Sequence, residues 1–360
     1  MNSLTIRSLW KATLAALLVV ISWHQAIATE DVPLKRFEFT QVQMGMDFKV
    51  TFYATDQAVA NRAADEAYAR IRELNACLSD YDPDSELSRL SKTAGSGRAI
   101  SVSTDLWHVL AASQRLAAET AGAFDVTVGP MVRLWRRARR ERELPTAERL
   151  AMARQAVGHR FIELDDVKRT ATLTQPGMRL DLGGIAAGFA ADEALAVLAE
   201  HGIGRALVDA SGDIVAGDPP PDEPGWKIGI APQGEAGRPS RYVWLANRAI
   251  STSGDAYQFV EIGGIRYSHI VDSQTGLGLT ASRAVVVVAP KCMMADSLAT
   301  ALCVLGAGRG LALIEKRQDV AALFVERPGD NDESATDKHE NWHTRISPDF
   351  DKLVPTLTGR

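Results

Sequence analysis

An aspartate and a threonine occur at a spacing that could hold a hard metal ion. Asp296 and Thr300 are four positions apart, so a helix would place both side-chain oxygens on one face. A carboxylate and a hydroxyl are ligands that Mg²⁺ accepts, with waters and substrate phosphates completing its shell. In the structural alternative, Asp296 caps a helix and Thr300 bonds to its own helix backbone. For the pair in isolation, this alternative is favoured.

A histidine and an aspartate lie three positions apart in a loop rich in serine, threonine and glycine. His269 takes up a proton near neutral pH, and Asp272 could orient it or help to hold a cation. A lone histidine is more often a structural residue. The small polar residues of segment 267–276 make this loop a better candidate for catalysis than most.

Three glycine-containing turns could bring backbone groups close to a ligand. Residues 181–188 precede a helical pattern, and a helix N-terminus favours phosphate. Residues 209–213 and 251–255 follow short strands and could present carboxylates and hydroxyls at one end of a sheet. Ordinary turn chemistry explains each of them as well, so no single turn assigns a function.

The elements that must position these residues form a mixed pattern. Apolar residues three or four apart predict a helix over 59–78, with Thr55 or Asp56 as its N-cap. Further helices are expected over about 105–120, 190–200 and 294–305. Strands are expected at 48–53, 206–208, 226–230, 242–245, 249–252, 284–288 and 320–326. Helices and strands do not alternate strictly, which favours an α+β fold with mixed sheets and flanking helices over a doubly wound sheet.

Six arginines occur between Arg133 and Arg142. They could form a surface for an anionic ligand or a partner. Runs of charge are usually solvated, and Glu141 and Glu143 are available as partners. The sequence therefore favours an exposed helix end.

Composition excludes several classes of protein. The chain has 360 residues, 46% of them hydrophobic and 24% charged, which is typical of a globular protein rather than a disordered one. Its net charge of -5 disfavours non-specific nucleic-acid binding. Three cysteines (Cys77, Cys292 and Cys303) without a CxxC pair exclude a disulfide scaffold and a thiolate zinc site.

The first residues have the pattern of an export signal. Arg7 and Lys11 precede an apolar stretch over 12–21, and Ala26 and Ala28 flank Ile27 as small residues do at a cleavage site. We therefore expect a signal peptide over 1–28, cleavage after Ala28 and a periplasmic protein. A lipid anchor is not expected, because no cysteine lies near the cleavage site. The alternative to cleavage is that the segment stays attached as a membrane anchor.

The polar segment 327–343 is expected to be a solvated excursion before a short final strand or tail.

Together and in this order, the motifs resemble the ApbE family of FAD:protein FMN transferases. The resemblance begins at Met44 and Gly45 and continues through 78–90, 122–130, Leu134 and Trp135. The turns at 181–188, 209–213 and 251–255 and the loops of His269 and Asp296 complete it. It covers roughly 35–326, and the combination is specific although no single piece is.

The resemblance implies a single domain over 29–360 with a T-fold-like α+β architecture. It implies Mg²⁺-dependent transfer of FMN from FAD to a threonine or serine hydroxyl through a phosphoester, with release of AMP. The implied acceptor is a membrane or periplasmic redox subunit, with no nucleic acid involved, and with membrane association only through that partner or an uncleaved signal. An FAD-binding protein, an FAD pyrophosphatase without acceptor transfer and a structural accessory subunit are the alternatives.

Site residues follow from the resemblance by motif. It implies an FAD site formed by Met44, Tyr81, Ala123, Phe124, Asp125, Asp181, Ala187 and His269. It implies that Mg²⁺ is held by Asp296, Thr300 and a backbone carbonyl, that of Gly184 or alternatively Ala186. His269 supported by Asp272 is the candidate general base, or His269 only contacts the cofactor. Many members have lysine where this chain has Ala187, so a positive charge near the expected pyrophosphate is missing, but the metal pair is retained and we expect activity.

Overall fold

The computed structural model of the chain describes residues 33–231, 239–255, 258–327 and 342–357. The predicted signal peptide at 1–28 lies outside these ranges, as do residues 328–341 of the polar segment near the C-terminus. In the described part of that segment, a short strand begins at His343, as expected.

The described residues form fifteen strands and eight α-helices. The strands are β1 (Lys35–Gln43), β2 (Met46–Ala54), β3 (Ile100–Ser101), β4 (Ile162–Asp165), β5 (Thr170–Leu173), β6 (Ala206–Ala210), β7 (Asp213–Ala216), β8 (Trp226–Ile230), β9 (Arg241–Leu245), β10 (Arg248–Gly254), β11 (Phe259–Ile262), β12 (Ile265–Ser268), β13 (Arg283–Ala289), β14 (Ala321–Glu326) and β15 (His343–Ile346). The helices are α1 (Gln57–Leu78), α2 (Glu86–Ser91), α3 (Thr104–Glu119), α4 (Gly129–Glu141), α5 (Ala147–Gln155), α6 (Ala186–Glu200), α7 (Cys292–Ile314) and α8 (Phe350–Leu353).

Eight strands form one antiparallel sheet in the order β1-β2-β6-β7-β10-β13-β14-β15. Its two faces are covered differently, because successive side chains of a strand point to opposite faces. Val285 and Val287 of β13 belong to the larger core, which includes residues of α1, α6 and α7. Val286 and Val288 belong to a smaller core with the β8–β9 hairpin and the segment around α8. The predicted α+β class with mixed sheets and flanking helices is confirmed.

Helix α1 begins where the sequence predicts. Asp56 is its N-cap, and one carboxylate oxygen accepts hydrogen bonds from the N–H groups of Ala58 and Val59, both at 2.9 Å. Helix α6 begins at Ala186, four residues before its predicted start. Its first six residues are all buried, so they lack the apolar periodicity that reveals a half-exposed helix.

Helix α7 is the core helix that carries Asp296 and Thr300. Its mean hydropathy of 1.7 and its length would allow it to cross a membrane, and among the described residues it is alone in this respect. Here it packs on β10, β13 and α6. At Gly306 the backbone leaves the helical region (φ 72°), so the helix extends past its predicted end at residue 305 with a kink.

Candidate active site

A cavity of about 850 Å³ lies among the loops on which the predicted site residues fall. Nine of those residues line it: Met44, Tyr81, Ala123, Phe124, Asp125, Asp181, Gly184, His269 and Thr300. Ala187, Asp272 and Asp296 are not among the lining residues. The fold thus brings together positions that are up to 256 residues apart in the chain.

A tight hairpin turn places Met44 at the cavity. Met44 and Gly45 connect β1 to β2 and both have positive φ, 52° and 79°, as the two central residues of a type I′ turn require. Glycine adopts this conformation without strain, whereas Met44 adopts it at a cost. The backbone here is held by the pairing of the two strands on either side.

Asp125 fixes the loop that carries Ala123 and Phe124. One carboxylate oxygen accepts hydrogen bonds from the N–H and the hydroxyl of Thr127, at 2.8 and 2.6 Å, and the other accepts from the His159 N–H at 2.9 Å. Asp125 is buried. Because the Asp125 carboxylate already accepts three hydrogen bonds, it shapes the cavity wall through the loop that it holds in place.

Arg136 joins three other cavity residues, and sequence reasoning missed it. Its guanidinium donates to Asp80 at 2.5 Å and to Asp181 at 2.9 Å, and lies 4.2 Å from the centre of the Tyr81 ring. Burial raises the pKa of Asp181, with Asp80 adding to the rise and Arg136 opposing it. The interpretation of the arginine run as a solvated helix end is therefore wrong for Arg136, whose side chain is only 32% exposed. No local pattern indicated it, because the six arginines over 133–142 do not show which of them faces inward.

His269 is held by a main-chain carbonyl. Its ring Nδ1 lies 3.2 Å from the carbonyl oxygen of Gln258. A carbonyl can only accept, so Nδ1 carries the proton and Nε2 of the neutral ring is left as an acceptor. Burial lowers the pKa of His269; the hydrogen bond to the Gln258 carbonyl opposes this shift, and the nearby charge of Arg139 adds to it. The histidine is therefore neutral at pH 7, as a general base must be.

Asp272 is engaged in its own turn instead of contacting His269. Its carboxylate accepts the N–H of Gln274 at 2.8 Å, and among the described residues it makes no hydrogen bond to the histidine. Next to it, the Ser273 hydroxyl donates to the carbonyl of Gly122 at 2.8 Å, which ties this loop to that of Phe124. The expected His269–Asp272 contact is thus not formed, because the turn uses the carboxylate.

Asp296, Thr300 and Gly184 form a set of oxygen donors. Asp296 is 4% exposed and accepts one hydrogen bond, from the Gly188 N–H at 3.2 Å. A side chain on Gly184 would place its Cβ 2.9 Å from the Thr300 hydroxyl oxygen, so the glycine backbone lies directly against that group. No described lysine, arginine or histidine lies within 4 Å of the Asp296 carboxylate to form an ion pair.

This donor set fits a hard divalent cation. Burial raises the pKa of Asp296 well above its ordinary value, and the charge of Asp213 adds to the rise. A buried carboxylate without a positive partner is costly, and a bound cation removes that cost. In the described part of the chain no three His, Cys, Asp or Glu side chains form a metal cluster. A site here would therefore rest on one carboxylate, one hydroxyl and a carbonyl.

Two of the other predicted turns meet this region. Asp213 accepts a hydrogen bond from the Ser251 hydroxyl at 2.5 Å, and burial raises its pKa to about 6. The Ser253 hydroxyl lies 3.4 Å from that of Thr300. The turns at 209–213 and 251–255 thus converge on α7, although only the order of the motifs, and no local pattern, indicated it.

Ala187 lies in the first turn of α6 and is 5% exposed, within the larger core. It does not reach the cavity. The residues that bring positive charge to the cavity are instead Arg136 and Arg139 of α4.

Comparison with known proteins gives a consistent result. The sequence profile of the ApbE family matches residues 44–324. The FAD:protein FMN transferase of Haemophilus influenzae is 31% identical over 348 residues, covering 94% of this chain and 97% of the relative. The flavin transferase ApbE from Vibrio cholerae superposes with a TM-score of 0.78 at 29% identity, covering 89% of this chain and 99% of that one. The apo form of the Pseudomonas stutzeri flavinyl transferase ApbE gives 0.76 at 31% identity, covering 89% and 97%.

Proposed function

The chain belongs to the ApbE family, and we propose that it transfers FMN from FAD to a threonine or serine hydroxyl of an acceptor protein, releasing AMP. The product would be a phosphoester between the acceptor and FMN. We place the reaction in the periplasm on the basis of the export signal. The observation that carries the proposal is a cavity of about 850 Å³ that borders the oxygen donors of Thr300 and Gly184.

The cavity offers aromatic and polar groups that suit FAD. Tyr81 is 77% exposed and Phe124 forms part of the wall, so both can pack on the flavin or adenine rings. Arg139 forms no ion pair among the described residues and brings positive charge to a ligand with a negative diphosphate, while the charge of Arg136 also offsets Asp80 and Asp181. Met44 adds apolar contact at the hairpin turn.

Asp296, Thr300 and the carbonyl of Gly184, or alternatively of Ala186, would hold Mg²⁺. When bound, the ion supplies charge neutralisation at the diphosphate and at the departing AMP. The contribution of the protein is to fix the oxygen donors on α7 and on the glycine turn before the substrate arrives.

His269 would accept the proton of the acceptor hydroxyl at Nε2. The hydroxyl oxygen forms a bond to the FMN-side phosphorus, and the bond from that phosphorus to the bridging oxygen breaks, so AMP leaves with the electron pair. General base catalysis of this kind contributes about 10²- to 10⁴-fold. The Gln258 carbonyl would orient the ring by holding Nδ1–H.

A two-readout experiment tests the proposal against its rivals. The purified chain is incubated with FAD, Mg²⁺ and a recombinant redox subunit that carries a flavin-acceptor threonine, and AMP and the acceptor mass are both measured. If the chain is a transferase, AMP is released and the acceptor gains the mass of one FMN. The Thr→Val variant of the acceptor should gain no mass. AMP without acceptor modification would show a pyrophosphatase. Bound FAD with neither product would show a binding protein.

A further inference from the structure

A second groove adjoins the cavity on the side of α4. It has a volume of about 610 Å³ and lies between α4, α5, the segment around α2 and residues 177–179. It shares Asp80 and Tyr81 with the cavity of about 850 Å³ proposed to bind FAD, which we call the flavin cavity. A smaller cavity of about 440 Å³, lined in part by Arg133 and Arg136, shares the same two residues with both. The groove is therefore continuous with the Tyr81 end of the flavin cavity.

The groove combines positive walls with an apolar floor. Leu134, Met152 and Met178 contribute apolar surface, and Met152 is 71% exposed. Its only acidic lining residue is Asp80, whose carboxylate is already paired with Arg136. The positive side chains are those of Lys92, Arg133, Arg137, Arg149 and Arg179.

Two of these cations, Arg133 and Arg149, make neither an ion pair nor a side-chain hydrogen bond in the described part of the chain. Both are exposed. Arg137 pairs with Glu141 at 2.8 Å, while Lys92 donates to the Pro83 carbonyl at 2.7 Å. The chain as a whole carries a net charge of -5, so this surface has the opposite sign to the molecule. A concave positive surface attracts an acidic ligand.

We propose that this groove docks an acidic segment of the acceptor protein. An apolar side chain of that segment would lie on the floor of Leu134, Met152 and Met178, with flanking carboxylates on Arg133 and Arg149. The proposal rests on the proposed function, because continuity with the flavin cavity makes an acceptor the fitting partner. An anionic membrane surface fits less well, because the groove is concave, whereas a membrane-binding face lays its apolar residues into the lipid.

Synthetic peptides of equal length test the groove. One carries a threonine and a leucine among aspartates and glutamates, and the other has asparagines and glutamines at the same positions. Binding to the full chain loaded with FAD and Mg²⁺ is measured by fluorescence anisotropy. The groove variant is Arg133→Glu with Arg149→Glu. The matched control is Arg62→Glu with Arg115→Glu, which makes the same charge change at exposed residues that line neither the groove nor the cavity.

We expect the acidic peptide to bind wild type about tenfold tighter than the neutral one, and that advantage to disappear in the groove variant but not in the control. FAD affinity should stay unchanged in both variants. If the groove variant does not fold, Arg133→Gln with Arg149→Gln replaces it. Equal binding of the two peptides, or equal loss in variant and control, would overturn the proposal. So would a groove variant that loses binding to phosphatidylglycerol vesicles while keeping the acidic peptide.

The docking and transfer activities are read separately. If wild type binds the acidic peptide but modifies no acceptor, the proposed function is contradicted. The preference of the groove for acidic peptides would still be supported. Wild type that modifies an acceptor without any preference for acidic peptides would contradict the docking proposal alone.

Discussion

Arg136 is the residue whose role depends most on tertiary structure. It bridges Asp80 and Asp181, which lie 56 and 45 positions away in the chain, and it stacks on Tyr81. Two carboxylates so close to an anionic substrate are tolerable only while a cation separates them.

Replacing Arg136 should weaken FAD binding. Arg136→Gln removes a cation from the cavity and leaves Asp80 and Asp181 facing each other, so we expect the Kd for FAD to rise by about tenfold. Flavin fluorescence titration measures it. Arg136→Lys keeps the charge but loses the two-pronged contact, and should give an intermediate Kd. Equal affinity of wild type and the glutamine variant would show that Arg136 has only a structural role.

His269 should set the acid limb of the pH profile. Its pKa is lowered by burial, so the ring stays neutral, and competent as a base, down to a pH below the ordinary value of about 6.5. As the pH falls through the actual pKa the ring is protonated and transfer is lost. We expect kcat to be constant from about pH 8 to 6.5 and to fall below that.

The control for this profile is His269→Gln, which should lose the acid limb together with about 10²-fold or more of the rate. An unchanged acid limb in the variant would assign the titration to another group.

At the residue scale, the sequence identified nine of the residues that line the cavity but not their contacts. Tyr81, Phe124 and Asp181 were found through motif order. The carbonyl partner of His269 and the turn contact of Asp272 depend on loop conformation, which no spacing in the chain encodes. Arg136 was hidden because a run of like charges does not reveal which member points inward.

The close packing of α6 on α7 positions the predicted metal ligands. Gly188 donates its N–H to Asp296, and a side chain there would place its Cβ 2.5 Å from the carbonyl oxygen of Cys292 and 2.9 Å from the Cβ of Asp296. Glycine at this position therefore allows the two helix backbones to approach, which keeps Asp296 beside the glycine turn.

A methyl group at Gly188 should separate these helices. We expect Gly188→Ala to lower the free energy of unfolding by about 2 kcal/mol through overpacking, and Tm by about 5 °C in a thermal scan. The control is Gly308→Ala on the same helix α7, where a Cβ would meet nothing within 4 Å. That variant should be neutral or slightly stabilising. Equal Tm values for both would show that the helices can move apart freely.

At the element scale, an amphipathic helix and short apolar strands such as β13, predicted at 284–288, were recognised, whereas a helix start buried on all sides and an edge strand were not. Helix α1 has a regular apolar face and a capping aspartate, so both its type and its start followed from the sequence. The start of α6 is buried on all sides and gives no periodic signal. Edge strand β1 has no fully buried residue, and it was not predicted.

The whole molecule is expected to act outside the cytoplasm. We predict cleavage after Ala28, so the protein from a periplasmic fraction should begin at Thr29, as N-terminal sequencing or intact mass would show. The control is the same chain with Ala28→Leu, which should be processed poorly because signal peptidase needs small residues there. Recovery of the intact chain from membranes would instead support the uncleaved anchor.

The sheet order of the whole molecule was beyond sequence reasoning, because β2 pairs with β6 across about 150 residues. The family resemblance supplied what local patterns could not, and the eight-stranded sheet with its helices agrees with the architecture it implied.

We propose that the oxygen donors of α7 make flavin transfer depend on Mg²⁺. The most direct measurement is the rate of FMN gain by the acceptor during a Mg²⁺ titration, for wild type, Asp296→Asn and Asp192→Asn. Asp192 accepts the N–H groups of Cys292 and Met293 at the start of α7, so its variant also removes a carboxylate that contacts this helix. We predict saturable Mg²⁺ dependence in wild type and Asp192→Asn, and a loss of about 10²-fold or more in Asp296→Asn. Transfer that needs no Mg²⁺, or that survives unchanged in Asp296→Asn, would contradict the account.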